Sequence, residues 1–230
     1  MSPIISNVNI IPNVIDEIAI GGGPPALAEI DNNFSMEFDG ADDYITTGLD
    51  CSSATHPNLS VSYWMKSSSA PGLTFPVGVL AAGSNPRFIS LGLLNGGTLY
   101  YKANGSWVSG GSVTDGNWHN IVWTFEWNTP LAGNITCNVY LDGNTTPVIS
   151  AVDLASGNLV GNLFIGSLDP NHTFPCYFPG KVDEVAVWES ILSPSDIERI
   201  YNATSAGTPD KTADLSDLST PPMAWYRMGD

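Results

Sequence analysis

Three acids punctuate the stretch FPGKVDEVAVWES. Asp183 and Glu184 stand side by side at the head of an apolar run, and Glu189 follows it. A retaining glycosidase needs two carboxylates about 5 Å apart, one as nucleophile and one as proton donor. On a strand, that geometry calls for acids on the same face, two residues apart. Strand alternation predicts opposite faces for the neighbours Asp183 and Glu184, while Glu189 shares the face of Asp183 but lies far along the strand. The spacing speaks against acid/base hydrolysis. Cation binding is the other chemistry that carboxylates supply, because hard cations take carboxylate and carbonyl oxygens gathered from loops. The turn FDGADD offers Asp39, Asp42 and Asp43 together with the Gly40 carbonyl. With Val185 and Val187 facing the core, Asp183 points inward beside them and needs a partner or a metal. The plainer alternatives are an Asp183 that accepts from backbone N–H groups and a solvated acidic turn.

Other reactive side chains form no constellation. His119 lies on the apolar side of NWHNIVWTFEW and is expected to be packed and hydrogen-bonded, while His56 and His172 sit in separate loops. No Ser/His/Asp or Cys/His arrangement follows from the spacing. Gly21-Gly22-Gly23 precedes prolines rather than a helix, so it is no phosphate loop. The cysteines, Cys51, Cys137 and Cys176, fit no zinc pattern. Cys137 is expected to pack as a small hydrophobe, and a Cys51–Cys176 bridge is left open. Tyr101 and Trp107 flank a turn, Asn104-Gly105-Ser106, that offers stacking faces and an amide to a sugar; the same rings could instead pack beneath a loop.

The elements that position these groups are strands. Apolar residues make up 43% of the 230 residues and charged ones only 13%, so the chain buries a core. The abundance of Gly, Asn, Ser, Thr and Pro suits strands joined by turns. LSVSYWMKS, NWHNIVWTFEW and NITCNVYLDG alternate with period two between turn residues, and FISLGLL, TLYYKA and NLFIGSL do so over shorter runs. Many short strands predict an all-β, antiparallel sandwich or jelly roll. Ser193-Pro194-Ser195-Asp196 reads as a helix start, predicting a short C-terminal helix from about Pro194 to Asn202.

Residues 1–30, Ile-rich and broken by Pro12 and Gly21–Pro25, are expected to form an extended arm and hinge docking on a neighbouring subunit, or a strand along the domain's own sheet. The β domain is expected over 31–203, and 204–230 as a linker and terminal strand. Seven basic residues against 23 acids give a net charge of −16, which excludes nucleic-acid and anionic-membrane binding by basic patches. The N-terminus has no basic region followed by an apolar one, and no run is long enough to span a bilayer, so a soluble protein made in a cytoplasm is expected.

A series of stretches in fixed order resembles one family: FDGADDYI (38–45), SYWMK (62–66), DGNWHNIVWTF (115–125), VYLDG (139–143), Ile165-Gly166, and FPGKVDEVAVWESILSPSDIERIY (178–201). Together they resemble the laminin-G-like domains of the concanavalin-A-like lectin/glucanase superfamily, in its pentraxin-related branch. The resemblance implies a two-sheet jelly roll with a concave face, acting as a binding module for glycans, proteins or cell surfaces. It also implies calcium in many members and glycoside hydrolysis in a minority, whose Glu-x-Asp-x-x-Glu pattern the Asp183-Glu184 stretch does not match. In resembling domains the first and late strands meet at one end. A calcium site is therefore expected from Asp39 and Asp183, helped by Asp42 or Asp43. The closing AWYRMGD resembles the opening strand of a further such unit, as in tandem domains of phage virion proteins, or else closes this sandwich. The function expected is a non-catalytic module of a phage fibre or decoration protein, located on the virion, binding a glycan or cell surface, touching neighbouring subunits through its arm and assembling as a homo-oligomer. The alternatives are an extracellular bacterial carbohydrate-binding module and a glycoside hydrolase.

Overall fold

Alternation sets the layers. In LSVSYWMK, Leu59, Val61, Tyr63 and Met65 are buried on one face, while Ser60, Ser62 and Trp64 are buried on the other. Burial on both faces means that the strand is the middle layer of a stack. The structure, a computed structural model, describes residues 24–81, 90–103, 106–127, 134–154, 159–168, 176–203 and 207–228.

The central layer is a seven-stranded antiparallel sheet. Its order is β11 (Ile149–Leu154), β10 (Asn134–Leu141), β9 (Trp118–Trp127), β4 (Asn58–Lys66), β13 (Pro179–Trp188) and β15 (Ala224–Tyr226), with β2 (Met36–Asp39) also on β13. Its inner face packs on two three-stranded sheets. One is β3 (Ile45–Asp50), β12 (Leu159–Ile165) and β5 (Val77–Ala81); the other is β6 (Ser90–Leu93), β7 (Thr98–Ala103) and β8 (Ser106–Ser112). Val61, Tyr63, Trp123, Phe125, Cys137, Val185 and Val187 meet Val77, Val79, Leu93, Leu99, Leu163 and Ile165 in this main core. The expected two-sheet sandwich is present, with its second layer divided in two.

The outer face carries a second core beneath a cap. The cap holds a two-stranded ribbon, β1 (Glu29–Asp31) with β14 (Lys211–Ala213), a 3-10 turn over Leu215–Asp217, and helix α1 (Pro194–Asn202). Val122, Tyr140, Ala186 and Trp188 from the sheet pack there on Leu27, Ile197, Ile200, Leu215 and Leu218. Helix α1 starts where the sequence predicts. The Ser193 side chain accepts from the Asp196 N–H, Pro194 occupies the first turn, and Ile197 and Ile200 face the core.

The cap differs from the arm and linker expected at the termini. Residues 24–31 and 207–228 are built into the same body, with β1 paired to β14 and Ala224–Tyr226 paired to β13 opposite Val185–Val187. AWYRMGD therefore contributes the last strand of this sandwich. Residues 1–23, the rest of the expected arm, lie outside the described residues. No described helix is long and apolar enough to cross a membrane.

Candidate functional site

β2 ends in the acidic turn. Gly40 takes φ +78°, and a Cβ there would meet Pro179 Cβ at 2.8 Å, so only glycine lets the chain turn against β13. Asp39 Oδ1 accepts from the Ala41 N–H at 2.7 Å and the Asp42 N–H at 3.4 Å, and Asp43 Oδ2 accepts from the Asp39 N–H at 3.1 Å. One carboxylate oxygen from each of Asp39, Asp42 and Asp43 lies within 4.8 Å of the others, and all three residues are exposed. This donor set is all hard oxygen and fits a calcium ion completed by water.

Asp183 is not part of that group. Register places Asp39 opposite Pro179, four residues short of Asp183. Asp183 sits opposite Trp64, and the register shifts between Asp183 and Ala186. Glu184 takes φ +49° within this bulge. Val182 and Val185 both reach the main core, while Asp183 and Glu184 both serve the outer side. The expected alternation therefore fails at this point. Asp183 accepts from Asn32 Nδ2 at 2.9 Å and from the Glu184 N–H at 2.8 Å. Glu184 accepts from Trp225 Nε1 at 2.6 Å and pairs with Arg227 Nε at 3.3 Å. Both carboxylates are buried under the cap, 1% and 4% exposed, which removes them from any reaction with an outside substrate. The charged partner, Arg227, directly follows β15, far away in sequence, so composition and spacing gave no sign of it.

Beyond the cap the outer face of the central sheet is open. An open cleft of about 590 Å³ lies there, lined by Glu37, Asp39, Lys66, the Ser67–Ser69 tract, Gly116 and Lys181, among others. Ser67 shapes one wall: its Oγ donates to Pro179 O at 2.6 Å or to Ser69 O at 2.7 Å. Lys181 stands opposite Lys66 on one side and Glu37 on the other, with Lys181 Nζ 3.8 Å from Glu37 Oε2. Glu37 and Asp39 share a face of β2, two residues apart, and both line the cleft.

The expected sugar platform is only partly present. Tyr101 is fully buried in the main core and offers no stacking face. Asn104 lies outside the described residues. Trp107 is 51% exposed, and its ring rests 5.2 Å from that of the buried Tyr100. A second aromatic pair, missed from sequence, adjoins the acidic turn: Tyr44 and Tyr177, 6.3 Å apart and inclined at 30°. Tyr44 follows Asp43 directly, which was the available signal. His119 is packed and satisfied as expected, with Nδ1 2.8 Å from Asp142 Oδ2 and Nε2 3.1 Å from Asp115 Oδ1. The three cysteines are free, so Cys51 and Cys176 form no bridge.

A jelly-roll sandwich with an open polar cleft on one sheet is the architecture of lectin-like binding proteins. The chain belongs to the concanavalin A-like lectin/glucanases superfamily: the sequence pattern of its laminin-G-like family matches residues 39–198. It is 25% identical over 183 residues to the sushi, von Willebrand factor type A, EGF and pentraxin domain-containing protein 1 of Rattus norvegicus. That match spans 75% of this chain but only 5% of the relative's length. Among solved structures, the heptameric SAP-like pentraxin of Limulus polyphemus superposes with a TM-score of 0.53 at 15% identity, over 76% of this chain and 84% of that one. The CBM40 of Ruminococcus gnavus IT-sialidase, bound to α2,3 sialyllactose, gives 0.53 at 11% identity, over 77% of this chain and all of that one. These likenesses establish the fold.

Proposed function

We propose that the chain is a non-catalytic glycan-binding module that holds sugar in the cleft beside the acidic turn. The observation that carries this reading is the cleft itself. It opens on the uncovered outer face of a lectin-like sheet and is lined by carboxylates, hydroxyls and ammonium groups suited to sugar hydroxyls. The pentraxin and CBM40 neighbours support a binding role by analogy of fold. Calcium at Asp39, Asp42 and Asp43 would rigidify the turn that adjoins the cleft. A phage virion, where the module would be presented to cell surfaces and contact neighbouring subunits, is the proposed setting, and an extracellular bacterial module is the alternative. The Ile-rich composition of residues 1–23 is what supports a particle-bound role.

The test is a glycan array probed with the whole chain. Binding is expected, and Ser68→Trp, which fills the cleft from an exposed position, should abolish it without lowering Tm. An array with no bound glycan, or a Ser68→Trp variant that binds like the wild type, overturns the reading. A hydrolase reading is favoured by the placement of Glu37 and Asp39. Neither is buried, Glu37 is near Lys181 and Asp39 is bonded into its turn, whereas retaining enzymes desolvate their acid. Sugar release from bound glycans, lost in Glu37→Gln, would establish hydrolysis instead.

A further inference from the structure

The cleft floor has one feature that a neutral sugar does not require. Lys66 on β4 and Lys181 on β13 are direct cross-strand partners, and both line the cleft. Like charges directly opposite one another destabilise a sheet. The chain has only seven basic residues in 230, yet two of them share this spot. Others serve structure: Arg199 pairs with Asp196, Lys211 with Glu29, and Arg227 with Glu184. Lys181 is near Glu37, at the long separation of 3.8 Å, and its side chain is 43% exposed. Lys66 makes no ion pair among the described residues.

Building on the glycan-binding reading, we propose that the Lys66–Lys181 pair is an anion subsite and that the cleft selects acidic sugars through a carboxylate group. The two ammonium groups would take the carboxylate by charge-assisted hydrogen bonds. Glu37 and Asp39, on the adjoining strand and lining the same cleft, would accept from the sugar hydroxyls. A ligand with one anion and several hydroxyl donors matches that division, whereas a small anion without hydroxyls leaves the carboxylates opposed to it. The net charge of −16 repels anionic ligands at long range, so selection depends on close contact. At physiological ionic strength, where screening acts within about 8 Å, that repulsion fades while the lysine contacts persist.

The experiment is titration calorimetry of the whole chain at physiological ionic strength with sialyllactose, a glucuronic-acid-terminated disaccharide, sulfated lactose and lactose. At least one carboxylated sugar is expected to bind about tenfold more tightly than lactose, the scale of one charge-assisted contact. Lys66→Gln and Lys181→Gln should each remove most of that preference, read as the ratio of carboxylated-sugar to lactose affinity, without lowering Tm, and Lys66→Arg should retain it. Should Lys66→Gln prove unstable, Lys181→Gln decides alone. Equal affinity for lactose and the carboxylated sugars, or Gln variants that keep the preference, overturns the anion subsite while the glycan module stands. Sulfated lactose bound as tightly as the best carboxylated sugar overturns the carboxylate assignment. If no sugar of any class binds, both readings fall together.

Discussion

His119 shows how one residue couples the fold to pH. Its ring is clasped between Asp142 and Asp115 at 2.8 and 3.1 Å. The hydrogen bond that His119 donates to Asp142 raises its pKa above the ordinary 6.5, against a smaller opposing effect of burial. A raised folded value means that the charged ring stabilises the native state fully below 6.5, and that this is lost as pH climbs through the folded value. Asp115 has the opposite sign. The Asn117 backbone amide, first among its partners, pulls it down to about 2, so its contribution holds above 3.8 and fades as pH falls toward 2. Wild-type Tm is expected to drop from about pH 6 to about pH 8, and His119→Gln should flatten that part of the profile. Parallel profiles would rule the linkage out. The thiols follow burial too. Cys51 is pushed up to about 12 by burial, reinforced by the Asp50 charge, Cys137 is buried, and half-buried Cys176 is raised by burial to a lesser degree. A chromogenic disulfide reagent should therefore reach Cys176 first in the native protein and all three cysteines only after denaturation. Equal rates for Cys51 and Cys176 would contradict that packing. At this scale the acidic turn was legible, because Asp39, Asp42 and Asp43 lie within five residues of one another and bond locally. Lys66 and Lys181 were not, because only pairing of β4 with β13 makes them neighbours.

At the scale of the element, the bulge in β13 governs the late acids. Two residues, Glu184 and Val185, stand where β4 supplies only Tyr63, which frees Val185 for the main core and sends Glu184 beneath the cap. Alternation, the rule that placed most strands correctly, breaks there because a bulge leaves no mark in an apolar run. Helix α1 was fully legible because its start signal is local: Ser193 Oγ accepts from the Asp196 N–H at 3.1 Å. Ser193→Ala should cost about 1 kcal/mol by denaturant titration. The bulge makes the larger demand. Glu184 is 4% exposed, and Arg227 Nε lies 3.3 Å from its carboxylate. Removing the guanidinium leaves a charge in the interior, so Arg227→Met should cost about 2 kcal/mol, less than a fully buried pair because Arg227 keeps a quarter of its side chain in water. Adding Glu184→Gln should recover part of that loss, since the amide still accepts from Trp225 Nε1 and carries no charge. A double variant weaker than the sum of the two single changes would show that the pair is not what stabilises the bulge.

At the scale of the molecule, the family pattern and the folding unit do not coincide. The match covers residues 39–198, which supply every buried residue of the main core except Phe38. The second core needs Leu27, Ile200, Ala203, Ala213, Leu215 and Leu218, all outside that range, to cover Val122, Ala186 and Trp188. β13 binds the cap into the sandwich, since it pairs with β4 inside the matched range, with β15 beyond it, and with β2, whose strand begins before it. A chain cut to 39–198 would expose the outer face of its central sheet and strip Glu184 of both Trp225 and Arg227. Bare apolar sheet is a site of aggregation, and an unpaired interior charge adds to the loss. That shortened chain is therefore expected to aggregate or to melt without a cooperative transition. A chain of residues 24–228, which retains every element described, is expected to unfold in a single step with the Tm of the full protein. Circular dichroism melts of the three chains, with light scattering for the shortest, provide the comparison. A cooperative, monomeric 39–198 would mean that the sandwich stands alone and that the cap is an addition to it. A marked drop in Tm for 24–228 would instead assign stabilising contacts to residues 1–23.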